Sequence, residues 1–190
     1  MTERQAVSTK ESVVVAVVLA AGAASRFGAP KQRVLLEPVL ERVRASSVDG
    51  VLVVLGAYEV ETSAPTVRCE EWQRGPGASL RCGLSALAPE AQAAIVVLAD
   101  GPDLSPRAVD RVIERWRHDG VPVLAASYRG QRSHPVLLAR EAWDAIPEEG
   151  ARALEARLVP CDDLGEPGDV DHPWQLPERF GSASMVDRET

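Results

Sequence analysis

Residues 13–31 read VVVAVVLAAGAASRFGAPK. Val13 to Leu19 is an uncharged, mostly β-branched run, too short to cross a bilayer, and such a run is expected as a strand buried on both faces of a sheet. The residues that follow, Ala20, Ala21, Gly22, Ala23, Ala24 and Ser25, have side chains small enough to let backbone N–H groups close around an anion. Arg26 and Lys31 bring positive charge to the same turn. A glycine loop after a buried strand, flanked by an arginine and a lysine, suits a polyphosphate. The stretch fits neither common fingerprint: G-x-G-x-x-G needs a second glycine at Ala24, and a P-loop needs Gly-Lys-Ser/Thr where Pro30 precedes Lys31. Taken alone, it is also compatible with a tight turn carrying two solvated bases.

Outward from this loop the chain alternates strands and helices. Pro38 opens a predicted helix to about Ser47 with Val39, Leu40 and Val43 inward, Asp49-Gly50 punctuates, and Val51 to Leu55 is a second buried strand. This is a right-handed βαβ unit. Thr66 to Cys69 is a short third strand, and the Gly75-Pro76-Gly77 break leads into a helix with Leu80, Leu84 and Leu87 at helical spacing. Ala94 to Ala99 is a further buried strand ending at Asp100; Ser105 caps and Pro106 starts a helix whose inner face is Val109, Val112, Ile113 and Trp116. Pro122 to Ser127 and His134 to Leu138 read as strands joined through Tyr128-Arg129-Gly130, followed by helices over about 140–146 and 152–157. The pattern predicts an α/β fold, an open sheet with helices on both faces, in which ligands bind at the carboxyl ends of the strands. The first loop, residues 75–79 and Asp100 then share one rim. Residues 1–12 are expected as a polar leader, 13–174 as one domain and 175–190 as a polar tail.

The chain has 190 residues, enough for one domain with a full core, and a net charge of −7, which argues against a nucleic-acid partner. An anionic ligand must therefore be met by locally placed cations. Cys69, Cys82 and Cys161 are odd in number, widely spaced and without a C-x-x-C, so neither a disulfide framework nor a zinc site is indicated. Residues 13–24 resemble a signal-peptide core, but Glu3, Arg4, Lys10 and Glu11 mix both charges ahead of it, and the cytoplasm is the expected compartment, with no membrane partner.

Asp100 ends an apolar strand and precedes Gly101-Pro102, a position suited to holding Mg²⁺ beside a phosphate loop, with an Asx-turn as the competing role. Asp169 and Asp171 in GDVDHPW lie one residue apart; on an extended backbone they point opposite ways, so only one of them could join Asp100, and taken alone the pair reads as a solvated acidic loop. His134, between the basic Arg129 and Arg132 and an apolar strand, suits structure or substrate contact better than general-base work. A metal with Lys and Arg suits displacement at phosphorus, where positioning and charge neutralisation dominate.

Together these blocks resemble the MobA-like nucleotidyltransferases, which attach a nucleotide to the molybdenum cofactor, and especially the cytidylyltransferases among them. The resemblance is carried by LAAGAASRFGAPK, EWQRGPGASLRCGL, LADGPDLSP, YRGQRSHPVLL, GARAL (residues 150–154) and DVDHP (residues 169–173). It implies a three-layer α/β/α sandwich with a mostly parallel, Rossmann-like sheet of the nucleotide-diphospho-sugar-transferase kind. It also implies Mg²⁺, an NTP (CTP rather than GTP, from the LAAG form with Ala21), a phosphorylated, molybdopterin-like acceptor, pyrophosphate release and a molybdoenzyme as a partner. Carried over by position, Leu19, Ala20, Ala21, Gly22 and Arg26 embrace the nucleotide, Lys31 its phosphates, and Gly77 and Ser79 the base or ribose. Asp100 binds metal with Asp171 in preference to Asp169, and His134 and Arg132 border the acceptor. Gly101 stands where the family often has Gln or Met. Two other classes compete: a non-catalytic protein that delivers a nucleotide or cofactor to an apo-enzyme, and a dinucleotide-binding redox protein, which the missing G-x-G-x-x-G disfavours.

Overall fold

The structure, a computed structural model, describes residues 12–180. The expected leader up to residue 11 and the tail from residue 181 lie outside the described residues. The described residues form a seven-stranded sheet in the order β3-β2-β1-β4-β6-β5-β7. The strands are β1 (Val13–Ala20), β2 (Gly50–Leu55), β3 (Thr66–Arg68), β4 (Ala91–Leu98), β5 (Val123–Tyr128), β6 (Gln131–Ala139) and β7 (Arg157–Pro160). Only β6 runs antiparallel to its neighbours β4 and β5. β1 lies near the middle, with Val17 opposite Leu52 on one side and Val96 on the other. Its uncharged sequence follows from this place, because both of its faces are covered.

Helices α1 (Gln32–Arg44) and α3 (Pro106–Asp119) cover one face, burying Leu36, Leu40, Val109 and Ile113 against Val14, Val18 and Ile95. Helix α2 (Pro76–Ser85) and a 3-10 segment, Arg140–Ala145, cover the other, where Leu80, Leu84 and Ala142 meet Val17, Val96 and Leu138. The fold is thus the expected three-layer α/β/α sandwich. α3 starts on Ser105 in extended conformation and Pro106 at its first position, and stops where Gly120 turns left-handed with φ 63°. Among the described residues no helix is long and apolar enough to cross a membrane.

Four local expectations are corrected. α1 begins at Gln32 and carries Pro38 inside it, because the buried stripe Leu35, Leu36, Val39, Leu40 and Val43 runs unbroken through the proline. That packing outweighs the amide and the space a mid-helix proline costs. The segment after β6 is a 3-10 helix, not an α-helix. Residues 152–157, which helix propensity favours, give only the 3-10 turn Ala151–Ala153; β7 follows and pairs in parallel with the edge of β5. The expected tail is partly anchored, since Leu176 and Phe180 pack on Phe27, Leu35 and Val170.

Candidate active site

The loop after β1 has its carbonyls fastened and its amides left free. Ala21 O accepts from Ala57 N (3.0 Å), Ala23 O from Tyr58 Oη (3.0 Å), and Gln32 Nε2 reaches Gly22 O (2.6 Å) and Ala20 O (3.3 Å). The amides of residues 22–26 have no protein acceptor among the described residues. A Cβ added to Gly22 would meet nothing within 4 Å. Gly22 is therefore not required by packing, and it leaves the loop open to close approach. Gln32, at the start of α1, is 4% exposed and keeps its Oε1 buried and, among the described residues, unpartnered. Sequence reasoning missed it; a polar residue opening an apolar helix face is the signal that could have found it.

Beside this loop lies a cleft of about 230 Å³ lined by Leu19, Ala20, Gly22, Arg26, Lys31, Gln32, Asp100 and Asp171 among others. Asp100 follows β4, and the late segment folds back on it, with Val170 N donating to Asp100 O (3.0 Å) and Asp103 N to Pro167 O (2.9 Å). This return brings Asp169 as well as Asp171 to Asp100: ligand oxygens of all three lie within 4.8 Å of one another. The expectation of a single partner assumed an extended strand; residues 169–171 are irregular, and Gly168 ahead of them has φ 77°. Lys31 Nζ donates to Asp100 Oδ2 (3.0 Å) and Val170 O (2.7 Å) and lies 3.5 Å from Asp171 Oδ1, while Arg26 meets Asp171 Oδ2 at 2.6 Å. Among the described residues Asp100 Oδ1 is buried with no partner. Three carboxylates with an orphaned buried oxygen form an all-oxygen donor set that fits a hard divalent cation such as Mg²⁺. Partial withdrawal from water, then the Asp100 and Asp171 charges, raise the Asp169 carboxyl above its usual range, although the residue as a whole is exposed.

The second glycine loop is closed by the protein itself. Gly77, Ala78 and Ser79 are buried, and the Gly77 amide donates to Glu148 O (2.9 Å). A Cβ on Gly77 would stand 1.9 Å from Pro147 O, so this glycine is required by the 147–148 turn. The open space on this side is a neighbouring pocket of about 340 Å³, walled by Leu19, Pro76, Leu80, Val96, His134 and residues 149–152 in part. It brings His134 and Arg132 together with the start of α2, which the sequence alone does not show. Arg132 lines it, but its guanidinium is spent on the carbonyls of Ala151 (2.8 Å), Arg152 (3.4 Å) and Leu154, and burial lowers its pKa. It braces the wall and does not present a free charge. His134 is 8% exposed, both its ring nitrogens are buried without partners among the described residues, and burial, opposed by Asp100, pushes its pKa down to about 4. It is a neutral imidazole. Gly101 is small because its Cβ would lie 2.7 Å from that ring. A larger open depression of about 800 Å³ lies beside β3, and its lining, which includes Arg33, Glu59, Glu61 and Arg68, shares no residue with this rim.

The MobA-like NTP transferase domain model matches residues 16–160, well over half of the chain. The bifunctional protein GlmU of Rubrobacter xylanophilus is 33% identical over 125 residues, which cover 58% of this chain and 26% of that protein. The chain thus spans about a quarter of that relative's length. Among solved structures, the Mycobacterium sp. strain JC1 homologue of Mycobacterium tuberculosis Rv0371c superposes with a TM-score of 0.73 at 25% identity, over 89% of this chain and 96% of that one. CMP:2-keto-3-deoxy-manno-octonic acid synthetase complexed with CTP gives 0.71 at 15% identity, over 89% and 97%, a likeness of fold.

Proposed function

The chain belongs to the MobA-like NTP transferase family, and on that premise we propose that it moves a nucleoside monophosphate from an NTP to a phosphorylated, molybdopterin-like acceptor, with CMP preferred over GMP. An acceptor phosphate oxygen bonds to the α-phosphorus, the bond from that phosphorus to the bridging oxygen breaks, and pyrophosphate leaves with the electron pair. The observation that carries this reading is one cleft joining a loop of unengaged amides, Lys31, Arg26, Asp100 and Asp171, with Asp169 clustered beside those two carboxylates.

The residues divide the work by chemistry. The amides of residues 22–26 supply fixed donors toward phosphate oxygens, and they need no reorganisation because Gln32, Tyr58 and Ala57 already hold the loop's carbonyls. Lys31 and Arg26, now paired with carboxylates, stand at the same cleft to meet the negative charge of a triphosphate. A Mg²⁺ ion held by Asp100, Asp169 and Asp171 would supply further charge neutralisation. The apolar pocket with the neutral His134 is the place for the acceptor. The cytidine preference rests on Ala21, whose buried methyl gives the LAAG form of the loop.

The test is pyrophosphate release from CTP with Mg²⁺ and molybdopterin, with CTP and GTP in competition in one reaction. Asp100→Asn keeps the size of the side chain and removes its charge, so release should collapse while circular dichroism is unchanged. Incorporation of GMP ahead of CMP defeats the base assignment. Nucleotide binding with no pyrophosphate from any acceptor returns the chain to the carrier reading.

A further inference from the structure

Residues 149–152 wall the 340 Å³ pocket but belong to no sheet strand or α-helix, apart from the 3-10 turn that starts at Ala151. They are held from two sides. On the β6 side, Arg132 donates to three of the carbonyls between residues 151 and 154. On the α2 side the hold converges on Glu148. Its Oε1 receives Arg74 Nη2 (2.9 Å) and Arg81 Nη2 (3.0 Å), and its backbone carbonyl receives the Gly77 amide (2.9 Å). Arg81 Nη1 also reaches Ile146 O (2.8 Å).

The two arginines flank the second glycine loop, Arg74 just before it and Arg81 within α2. One carboxylate therefore fixes both ends of that loop against the pocket wall. The fit is built into the sequence as well, since Gly77 has no Cβ where Pro147 O comes closest. Glu148 and Arg74 are about half exposed, so their charge pair adds little to global stability. What the carboxylate fixes is the separation of two pocket walls that no strand pairing connects. The mechanism described above makes no use of it.

We infer that Glu148 is a positioning residue: it fastens the 149–152 wall to the start of α2 and so sets the width of the pocket, and with it the grip on the acceptor. This rests on the reading of that pocket as the acceptor site. The phosphate cleft shares Leu19 with this pocket and is otherwise lined by different residues.

The experiment compares Glu148→Ala and Glu148→Gln with the unmodified protein, using CTP, Mg²⁺ and molybdopterin, and follows amide hydrogen exchange in parallel. For Glu148→Ala the KM for molybdopterin should rise about tenfold with kcat within twofold, the stabilisation by Mg-CTP should be unchanged, and the Gly77 amide should exchange at least tenfold faster. Glu148→Gln, which keeps the hydrogen bonds without the charge, should recover most of both effects. A fall in kcat at constant KM, or Gly77 exchange no faster than in the unmodified protein, overturns the inference. If no acceptor reacts with the unmodified protein yet Gly77 exchange accelerates in Glu148→Ala, the acceptor reading has failed and the clamp stands.

Discussion

Replacing Lys31 by methionine should make the metal-free protein weaker and its carboxylate cluster a better cation site. Lys31 is 12% exposed on its side chain and lies 3.0 Å from Asp100 and 3.5 Å from Asp171. Methionine keeps the packing of the stem and leaves three carboxylates with Arg26 as their remaining close cation. Removing one partner of a fully buried pair costs roughly 3–5 kcal/mol. Asp100 and Asp171 are each about a quarter exposed, which argues for discounting that figure to about 2 kcal/mol. For a chain of this size this is a fall in Tm of about 4–8 °C. A unit charge about 4 Å from another in water interacts by about 1 kcal/mol, so a divalent ion freed of the lysine gains about 2 kcal/mol, on the order of thirtyfold in affinity. Thermal unfolding with and without Mn²⁺, and calorimetric titration of Mn²⁺ without nucleotide, measure the two effects; turnover should meanwhile fall by about 10²-fold or more, because one electrostatic donor is gone. A Lys31→Met protein as stable as its parent and equal to it in Mn²⁺ affinity would refute the reasoning.

Two further outcomes follow from the geometry. Gly22→Ala meets no protein atom, so Tm should hold while stabilisation by Mg-CTP is lost; Gly77→Ala drives a Cβ to 1.9 Å from Pro147 O and should lower stability by about 1–3 kcal/mol. Equal Tm losses in the two variants, read by calorimetry, would undo the distinction between a ligand-facing and a packing glycine. For His134 the folded pKa of about 4 lies below the ordinary 6.5, so the unfolded chain takes up the proton first. Its contribution is fully present above about pH 6.5 and is lost as pH falls toward 4, up to roughly 3 kcal/mol. Denaturant unfolding at several pH values, compared with His134→Phe, isolates that share, and parallel pH profiles for the two proteins would contradict it.

The parts of the molecule legible in the sequence are those fixed by local chemistry. The uncharged Val13–Ala20 run, the small-residue loop behind it, the Ser105-Pro106 start of α3 and the Arg129-Gly130 turn each follow from residues within a few positions of one another. The misses share a cause: in each, a partner far along the chain decided the outcome. Pro38 sits inside α1 because the sheet pulls Leu35 and Leu36 inward as strongly as Val39 and Leu40. Residues 157–160 became a strand because β5 offered an open edge. Arg132 resembles a ligand contact by its position beside His134, yet its donors go to carbonyls some 20 residues on, and Gln32 and Glu148 act through partners between 10 and 74 residues away. The acidic cluster lay between these cases. Asp100 could be named from its surroundings and Asp171 only from the family resemblance, whereas the inclusion of Asp169 depended on a backbone turn that alternation could not foresee.

The return of residues 167–171 onto the loop after β4 also sets a timetable for synthesis. When β7 has emerged from the ribosome every strand of the sheet is outside it, whereas Asp169 and Asp171 of the carboxylate cluster are still within the exit tunnel. The backbone bonds from Val170 to Asp100 and from Asp103 to Pro167 close after that point, and with them the lysine gains its carbonyl partner at Val170. A nascent chain can thus complete its hydrophobic layers before the carboxylate cluster closes, so that the last contacts of this cleft form on a sheet already built.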